Sequence, residues 1–137
     1  MNRYLLDTNV VSELRKPRPH RAVVAWLSLQ QEEQLFLSAV TLGELQSDIQ
    51  RTRAQDTTKA TEIEDWLVQI AESYQVLAMD ARCFREWGRL MHEKPNQLLE
   101  DGMIAATARI HGLIVATRNE RDFKQFEVGI INPFKAG

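Results

Sequence analysis

Four acidic residues, each beside a short apolar segment, are the side chains in this sequence best suited to chemistry. Asp7 and Glu44 follow apolar segments 4–6 and 35–40, Asp101 precedes segment 103–106, and Asp122 comes shortly after segment 113–116. In an open parallel α/β sheet the functional crevice lies at the carboxyl ends of the strands, so carboxylates delivered there converge. Two like charges about 4 Å apart repel by roughly 4 kcal/mol at an effective dielectric constant of about 20. Such a cluster therefore indicates a divalent-cation site, and hard oxygen ligands favour Mg²⁺ or Mn²⁺.

Each of these acids also has a purely structural interpretation. Asp7 could cap a short helix after the first strand. Glu44 completes the capping-box pattern Thr41-Leu42-Gly43-Glu44, which announces a helix beginning at Thr41. Asp101 could be a favourable first-turn charge, and Asp122 a turn residue before Phe123. An ionised carboxylate at a helix amino terminus can still face a crevice, so the two roles are compatible.

The elements that must position these residues alternate between strands and helices. Short apolar runs predict strands at 3–6, 35–38, 76–79, 113–116 and 128–131. Helical periodicity and capping residues predict helices at 10–15, 20–30, 41–53 and 57–74, one capped by Asp80, and one at 101–111 closed by Gly112. Alternation of this kind favours a single domain over residues 1–137, with a parallel sheet covered by helices on both faces.

Composition narrows the function only by exclusion. The 137-residue chain has a net charge of -2, which gives no global electrostatic case for nucleic acid. A single cysteine, Cys83, excludes an intrachain disulfide framework and favours a reducing cytoplasm. No apolar run approaches the roughly 18 residues of a membrane span. His20, His92 and His111 lack metal-ligand spacing.

Basic residues cluster at two places beside the acidic segments. Arg15-Lys16-Pro17-Arg18 follows the first acidic segment, and Arg118 to Arg121 precedes Asp122. Most such runs are solvated surface. Beside an acidic crevice, however, they could hold phosphate groups of a ligand.

The sequence segments around the acids resemble PIN-domain ribonucleases. Leu5-Leu6-Asp7-Thr8-Asn9-Val10 resembles the opening of that family, and segments 38–45 and 101–108 resemble its second and third acidic motifs. Segment 116–123, followed by Ile131-Asn132-Pro133-Phe134, is similar to the end of the VapC branch, the toxins of bacterial toxin–antitoxin pairs. Single motifs of this kind are weak, but four in order along the whole chain are a specific signal.

The resemblance implies a PIN-like three-layer α/β/α fold with a central parallel sheet of four to five strands. It implies Mg²⁺-dependent (or Mn²⁺-dependent) RNA cleavage in which Asp7 and Asp101 ligate the metal and Glu44 assists. Many members have an aspartate where this chain has Asn119, so the fourth acidic role lies open between Asn119 and Asp122. The implied partners are RNA, a cognate antitoxin, a second copy in a homodimer, and DNA only through the antitoxin. We expect the apolar stripes of helices 41–53 and 57–74 to form the dimer surface.

Two other classes of protein compete with this interpretation. A Mg²⁺-dependent phosphohydrolase or phospho-receiver domain also places acids on a parallel sheet, but the phosphohydrolase hallmark is an Asp-x-Asp pair, and Asn9 stands at its second place. A catalytically silent interaction module would use the acids only as caps. Metal titration separates these classes, because a silent module binds no divalent ion.

Overall fold

Five short parallel strands form the central sheet of the computed structural model, which describes residues 1–135. They are β1 (Tyr4–Leu6), β2 (Leu35–Ser38), β3 (Gln75–Leu77), β4 (Ile114–Ala116) and β5 (Ile130–Ile131), in the spatial order β3-β2-β1-β4-β5. Central β1 sets the register: Leu5 lies opposite Phe36 on one side and Val115 on the other. The strand segments predicted from sequence are confirmed to within two or three residues.

Seven α-helices connect and cover the strands in the described part of the chain. They are α1 (Thr8–Glu13), α2 (Arg21–Ser28), α3 (Ala39–Arg53), α4 (Thr57–Ser73), α5 (Ala81–Leu90), α6 (Leu99–His111) and α7 (Glu120–Phe123). Asp80 accepts from Cys83 N and caps α5, and Gly112 ends α6 with φ at 66°. A residue without Cβ adopts this left-handed conformation at no steric cost, as the sequence predicted.

Two apolar cores, one on each face of the sheet, give the fold its three layers. Leu6 and Leu37 point into the core shared with α1 to α4, where Ile49 is buried. Leu5 and Val115, on alternate positions, point into the opposite core with Ile104 and the helices α6 and α7. Side chains alternate between the faces of a strand, so both faces of these strands are apolar, as expected for a covered parallel sheet. The predicted three-layer α/β/α architecture is confirmed.

The predicted capping box at Thr41-Leu42-Gly43-Glu44 is wrong. Helix α3 begins at Ala39, directly after β2, and the Ser38 hydroxyl caps it by accepting from Val40 N at 3.0 Å. The strand leads into the helix without an intervening turn, so Thr41 is buried and Glu44 lies one turn inside the helix. Glu44 therefore has no capping role to explain its presence.

Many apolar side chains on α3 and α4, where we expected the dimer surface, pack within one chain. These two helices pack against each other, and Leu45, Ile49, Ala60 and Leu67 from their apolar stripes are buried in the core. Val68 is the one large hydrophobic residue of α3 and α4 that is exposed among those described. Ile63, Trp66 and Ile70 of α4 are only partly buried, so a dimer through this surface stays a prediction.

The strand order creates one crevice at the carboxyl edge of the sheet. From β1 the chain runs outward to β2 and β3, and then crosses to β4 and β5 on the other side. The connections after β1 and β4 therefore leave in opposite directions, which opens a crevice between the ends of these strands. Among the described residues, no helix has the length and apolarity needed to cross a membrane.

Candidate active site

Asp7 occupies the centre of the crevice. It follows β1, is only 3% exposed, and accepts three hydrogen bonds. Its Oδ1 accepts from Thr8 N at 2.8 Å, and its Oδ2 accepts from Thr117 Oγ1 at 2.8 Å and Asn9 Nδ2 at 3.1 Å. Burial raises the pKa of Asp7, while the hydrogen bonds partly oppose that rise. The carboxylate thus caps α1, as the structural interpretation predicted, and also lies at the crevice.

Thr117 and Asn9 are site residues that the search for acids missed. Thr117 follows β4 as Asp7 follows β1, and the β1–β4 register places the two side by side. Besides donating to Asp7, the Thr117 hydroxyl accepts from Asn119 N at 2.8 Å. Asn9 Oδ1 accepts from Arg118 N at 3.2 Å. The two loops are therefore tied together around Asp7. The sequence signal that could have indicated Thr117 is a polar residue directly after a central strand.

Glu44 reaches the same crevice from α3. Thr8 Oγ1 lies 2.8 Å from Glu44 Oε1 and 3.1 Å from Thr41 Oγ1. Because a hydroxyl carries one proton, Thr8 donates to the carboxylate and accepts from Thr41. Burial chiefly raises the pKa of Glu44, and the charge of Asp7 adds to the rise. Glu44 is thus held beside Asp7 without a cationic partner among residues 1–135.

Asp101 lies in the first turn of α6 and is partly buried. Its pKa is raised to about 7, first by burial and then by the charges of Asp7, Asp122, Glu44 and Glu100. Helix α6 begins two residues earlier than the sequence predicted, at Leu99, whose carbonyl accepts from Trp87 Nε1 at 3.1 Å. This bond ties the turn that carries Asp101 to α5.

Asp122 and Asn119, the two candidates for the fourth acidic role, have different surroundings. Asp122 lies in α7, and its charge is among those that raise the pKa of Asp101. Asn119 is exposed, and its backbone N–H fixes the loop by donating to the Thr117 hydroxyl. Both residues line one open depression of about 620 Å³. The structure brings all five sequence-predicted residues to the same edge of the sheet, with distinct surroundings for these two.

The donor set fits a hard divalent cation that keeps part of its water shell. Within residues 1–135, no three carboxylate, imidazole or thiol side chains are arranged so that they alone could hold a metal ion. Mg²⁺ typically binds one or two carboxylates and retains several waters, so two carboxylates such as those of Asp7 and Asp101 would be enough protein ligands. The donors available are oxygens, whereas structural zinc sites use sulfur and imidazole nitrogen. A cation here would also relieve the repulsion that raises the pKa of Asp101.

The fold and the crevice place this protein in the class of three-layer α/β proteins that carry an acidic site at the switch point of a parallel sheet. The sequence matches the PIN domain over residues 4–128, so the chain belongs to the PIN-domain family. It is similar to the VapC ribonuclease Y4jK of Sinorhizobium fredii, with 38% identity over 96% of this chain and 97% of that protein. It is also similar to the toxin FitB of Neisseria gonorrhoeae, with 32% identity over 95% of this chain and 97% of FitB.

The comparison with solved structures agrees with the similarity in sequence. The chain superposes on the crystal structure of FitAcB from Neisseria gonorrhoeae with a TM-score of 0.84 and 34% identity, covering 96% of this chain and 99% of that one. A structure of FitAB bound to a DNA fragment matches with a TM-score of 0.82 and 32% identity, over 96% and 95% of the two chains. The likeness therefore extends over nearly the whole length of both proteins.

Proposed function

We propose that this protein is a divalent-metal-dependent endoribonuclease that acts as the toxin of a type II toxin–antitoxin pair. The observation that carries the proposal is the convergence of Asp7, Glu44, Asp101 and Asp122 at the switch point, where burial first and the neighbouring acidic charges second raise the pKa of Asp101 to about 7. Like charges held together in this way cost stability unless a cation joins them. The similarity to a VapC ribonuclease and to the toxin FitB supports the choice of RNA as substrate.

Each site residue has a distinct task in this mechanism. Asp7, fixed by three hydrogen bonds, and Asp101 would hold Mg²⁺, with Mn²⁺ as an alternative ion. Once bound, the cation would acidify a water molecule for in-line attack on phosphorus and offset charge on the leaving oxygen. Glu44, steadied by Thr8, and Asp122 would orient water at the site, while Asn119 orders the loop. No serine, cysteine or histidine nucleophile is required.

The two competing classes are less well supported. Asn9, at the place of the second phosphohydrolase aspartate, donates to Asp7 and accepts from Arg118 N, so its amide is committed to holding the crevice together. A silent interaction module would have no use for a carboxylate buried as deeply as Asp7 among others of the same charge, because that arrangement is unfavourable. Turnover of a small phosphate ester would favour the phosphohydrolase, and the absence of divalent-ion binding would favour the module.

The chemistry of the products tests the mechanism. Attack by water leaves a 5′-phosphate and a 3′-hydroxyl, and we expect mass spectrometry of a cleaved RNA oligonucleotide to find these ends. EDTA and Asp101→Asn should each abolish cleavage, while Asp65→Asn, an exposed site on α4, should leave it unchanged. A 2′,3′-cyclic phosphate formed in EDTA would refute the metal mechanism, since it requires the 2′-hydroxyl as nucleophile.

The partners follow from the same proposal. We expect a cognate antitoxin, encoded by a short neighbouring gene, to suppress the ribonuclease activity when the two are co-expressed, and DNA to be reached only through that antitoxin. We also expect a homodimer, in the cytoplasm where RNA is accessible. Light scattering at micromolar concentration tests the dimer, and a monomeric mass would contradict it.

A further inference from the structure

The surface around the acidic crevice carries basic residues on one side and mainly acidic residues on the other. One open depression, of about 620 Å³, adjoins Asp122 and is lined mainly by loop and α7 residues that include Arg118, Arg121, Lys124 and Lys135. A second, of about 480 Å³, adjoins Glu44 and is lined by Asp48, Glu100 and a single arginine, Arg51. The acids of the crevice thus separate a basic depression from an acidic one.

Ion pairing increases the difference in available charge between the two depressions. In the basic depression Lys135 pairs with Glu120 at 3.0 Å, but Arg118, Arg121 and Lys124 have no carboxylate at salt-bridge distance within residues 1–135. In the acidic depression Arg51 is already paired with Asp48. Three cations are therefore free to meet an anion on one side of the crevice, whereas the free charges on the other side are carboxylates.

Of the three cations, Arg118 is held in place. Its guanidinium lies over the ring of Phe134, 3.9 Å from the centroid, and its backbone N–H donates to Asn9. The Phe134 ring is itself packed edge-on against the His20 ring. The backbone N–H of Phe134 donates to Asn132 Oδ1 at 2.9 Å. Stacking uses the face of a guanidinium and leaves the in-plane N–H donors at its edge free for a phosphate.

The other basic cluster predicted from sequence does not share this position. Lys16 pairs with Glu13 at 2.5 Å, and Arg15 lines a separate depression beside Lys59 and Trp66. None of the acids of the crevice lines that depression. Arg15 therefore faces a depression without the crevice acids, whereas the loop from Arg118 to α7 lines the depression that contains Asp122.

We propose that single-stranded RNA enters the crevice across the basic depression, and that Arg118, pre-oriented by Phe134, binds a phosphate next to the one that is cut. This inference rests on the proposed ribonuclease function and adds the path and polarity of the substrate. Carboxylates of the opposite depression repel the strand, so the backbone is confined to one side. Phosphate contacts position a nucleic acid without reading its sequence, so Arg118 contributes affinity for every RNA.

RNA binding by variants tests the path directly. The probe is a fluorescently labelled, mixed-sequence single-stranded RNA, and its dissociation constant is measured by anisotropy over a range of salt in the non-cleaving Asp101→Asn background. Arg118→Ala should weaken binding about tenfold and lower the slope of log K against log salt by about 0.7, the value for one phosphate contact on a single strand. Arg85→Ala, an equally exposed arginine on α5, is the matched control and should change neither.

Two further variants separate the charge of Arg118 from its orientation. Phe134→Leu keeps the cation but removes the aromatic face, so binding should weaken two- to fivefold with an unchanged salt slope. Arg118→Lys keeps the charge and loses the flat stack, so the slope should return to that of the parent while the affinity recovers only in part. Recovery by lysine also shows that the alanine variant did not lose binding by misfolding.

The two proposals fail in different ways. If Arg118→Ala binds RNA with the affinity and salt slope of Arg85→Ala, the proposed path is wrong, although the ribonuclease assignment stands. If the unsubstituted protein with Mg²⁺ neither binds nor cleaves RNA, the ribonuclease assignment itself is wrong.

Discussion

Ionised Asp101 should weaken the fold in the absence of metal, because its pKa is raised from 3.8 to about 7. A rise of about three in pKa corresponds to about 4 kcal/mol, since each pH unit is worth about 1.36 kcal/mol. Solvent reaches part of this side chain and screens the repulsion, so we take about 2 kcal/mol. Asp101→Asn removes the charge but also removes a favourable acid from the first turn of α6, a loss of about 0.5 kcal/mol. The net gain is about 1.5 kcal/mol at high pH.

The sign of the pH dependence follows from the raised pKa. The native protein keeps the Asp101 proton up to about pH 7, whereas the unfolded chain releases it near pH 4. Below about pH 4 both states are protonated and the charge costs nothing; above about pH 7 both are ionised and the full cost is present. The stability advantage of Asp101→Asn should therefore be small near pH 4 and grow as the pH rises to about 7.

Urea unfolding in EDTA measures this advantage, with the fluorescence of the three tryptophans as the signal. The free energies of unfolding of the parent and Asp101→Asn are compared at about pH 8 and about pH 5. Asp65→Asn, on the exposed face of α4, is the control and should show no gain at either pH. If Asp101→Asn is no more stable than the parent at about pH 8, or its gain is the same at both pH values, the acids do not repel as the structure indicates.

Three further substitutions test other parts of the site and the fold. Mg²⁺ should raise the melting temperature of the parent but not of the double variant Asp7→Asn/Asp101→Asn, and an equal rise in both would place the ion elsewhere. Thr117→Val keeps the side-chain shape but removes the donor to Asp7, so it should cost about 1–2 kcal/mol in urea unfolding and reduce the cleavage rate, with an unchanged rate arguing against its positioning role. Gly112→Ala, at φ 66°, should cost about 1 kcal/mol and leave Mg²⁺ binding intact; a neutral result would mean that the left-handed cap is not needed.

The acids and the layers were predictable because both depend on local patterns. Buried strands leave apolar runs, and parallel strands carry the residues that follow them at one edge of the sheet, so Asp7 could be chosen without knowing any contact. The position of Gly112 followed from the steric freedom that only glycine has at a helix end. These features are written in the order of residues along the chain.

Other features depended on which segments meet in space. The capping-box pattern at Thr41 and Glu44 was misleading, because β2 leads straight into α3 and Ser38 takes the cap. Thr117 became visible as a site residue only when the β1–β4 register placed it beside Asp7, 110 positions away in sequence. No local pattern encodes a hydrogen bond over that separation.

The sequence by itself determined the chemistry that is available, a set of carboxylates that suits a hard cation, and the layered fold that carries them. The tertiary structure alone decided how those charges interact. It buried Asp7, partly buried Asp101 among other acids so that its pKa rises to about 7, and set Arg118 on Phe134 beside the crevice while leaving Arg15 elsewhere. The physical reason is that burial and charge–charge interaction depend on distances through space, which packing fixes and residue order does not.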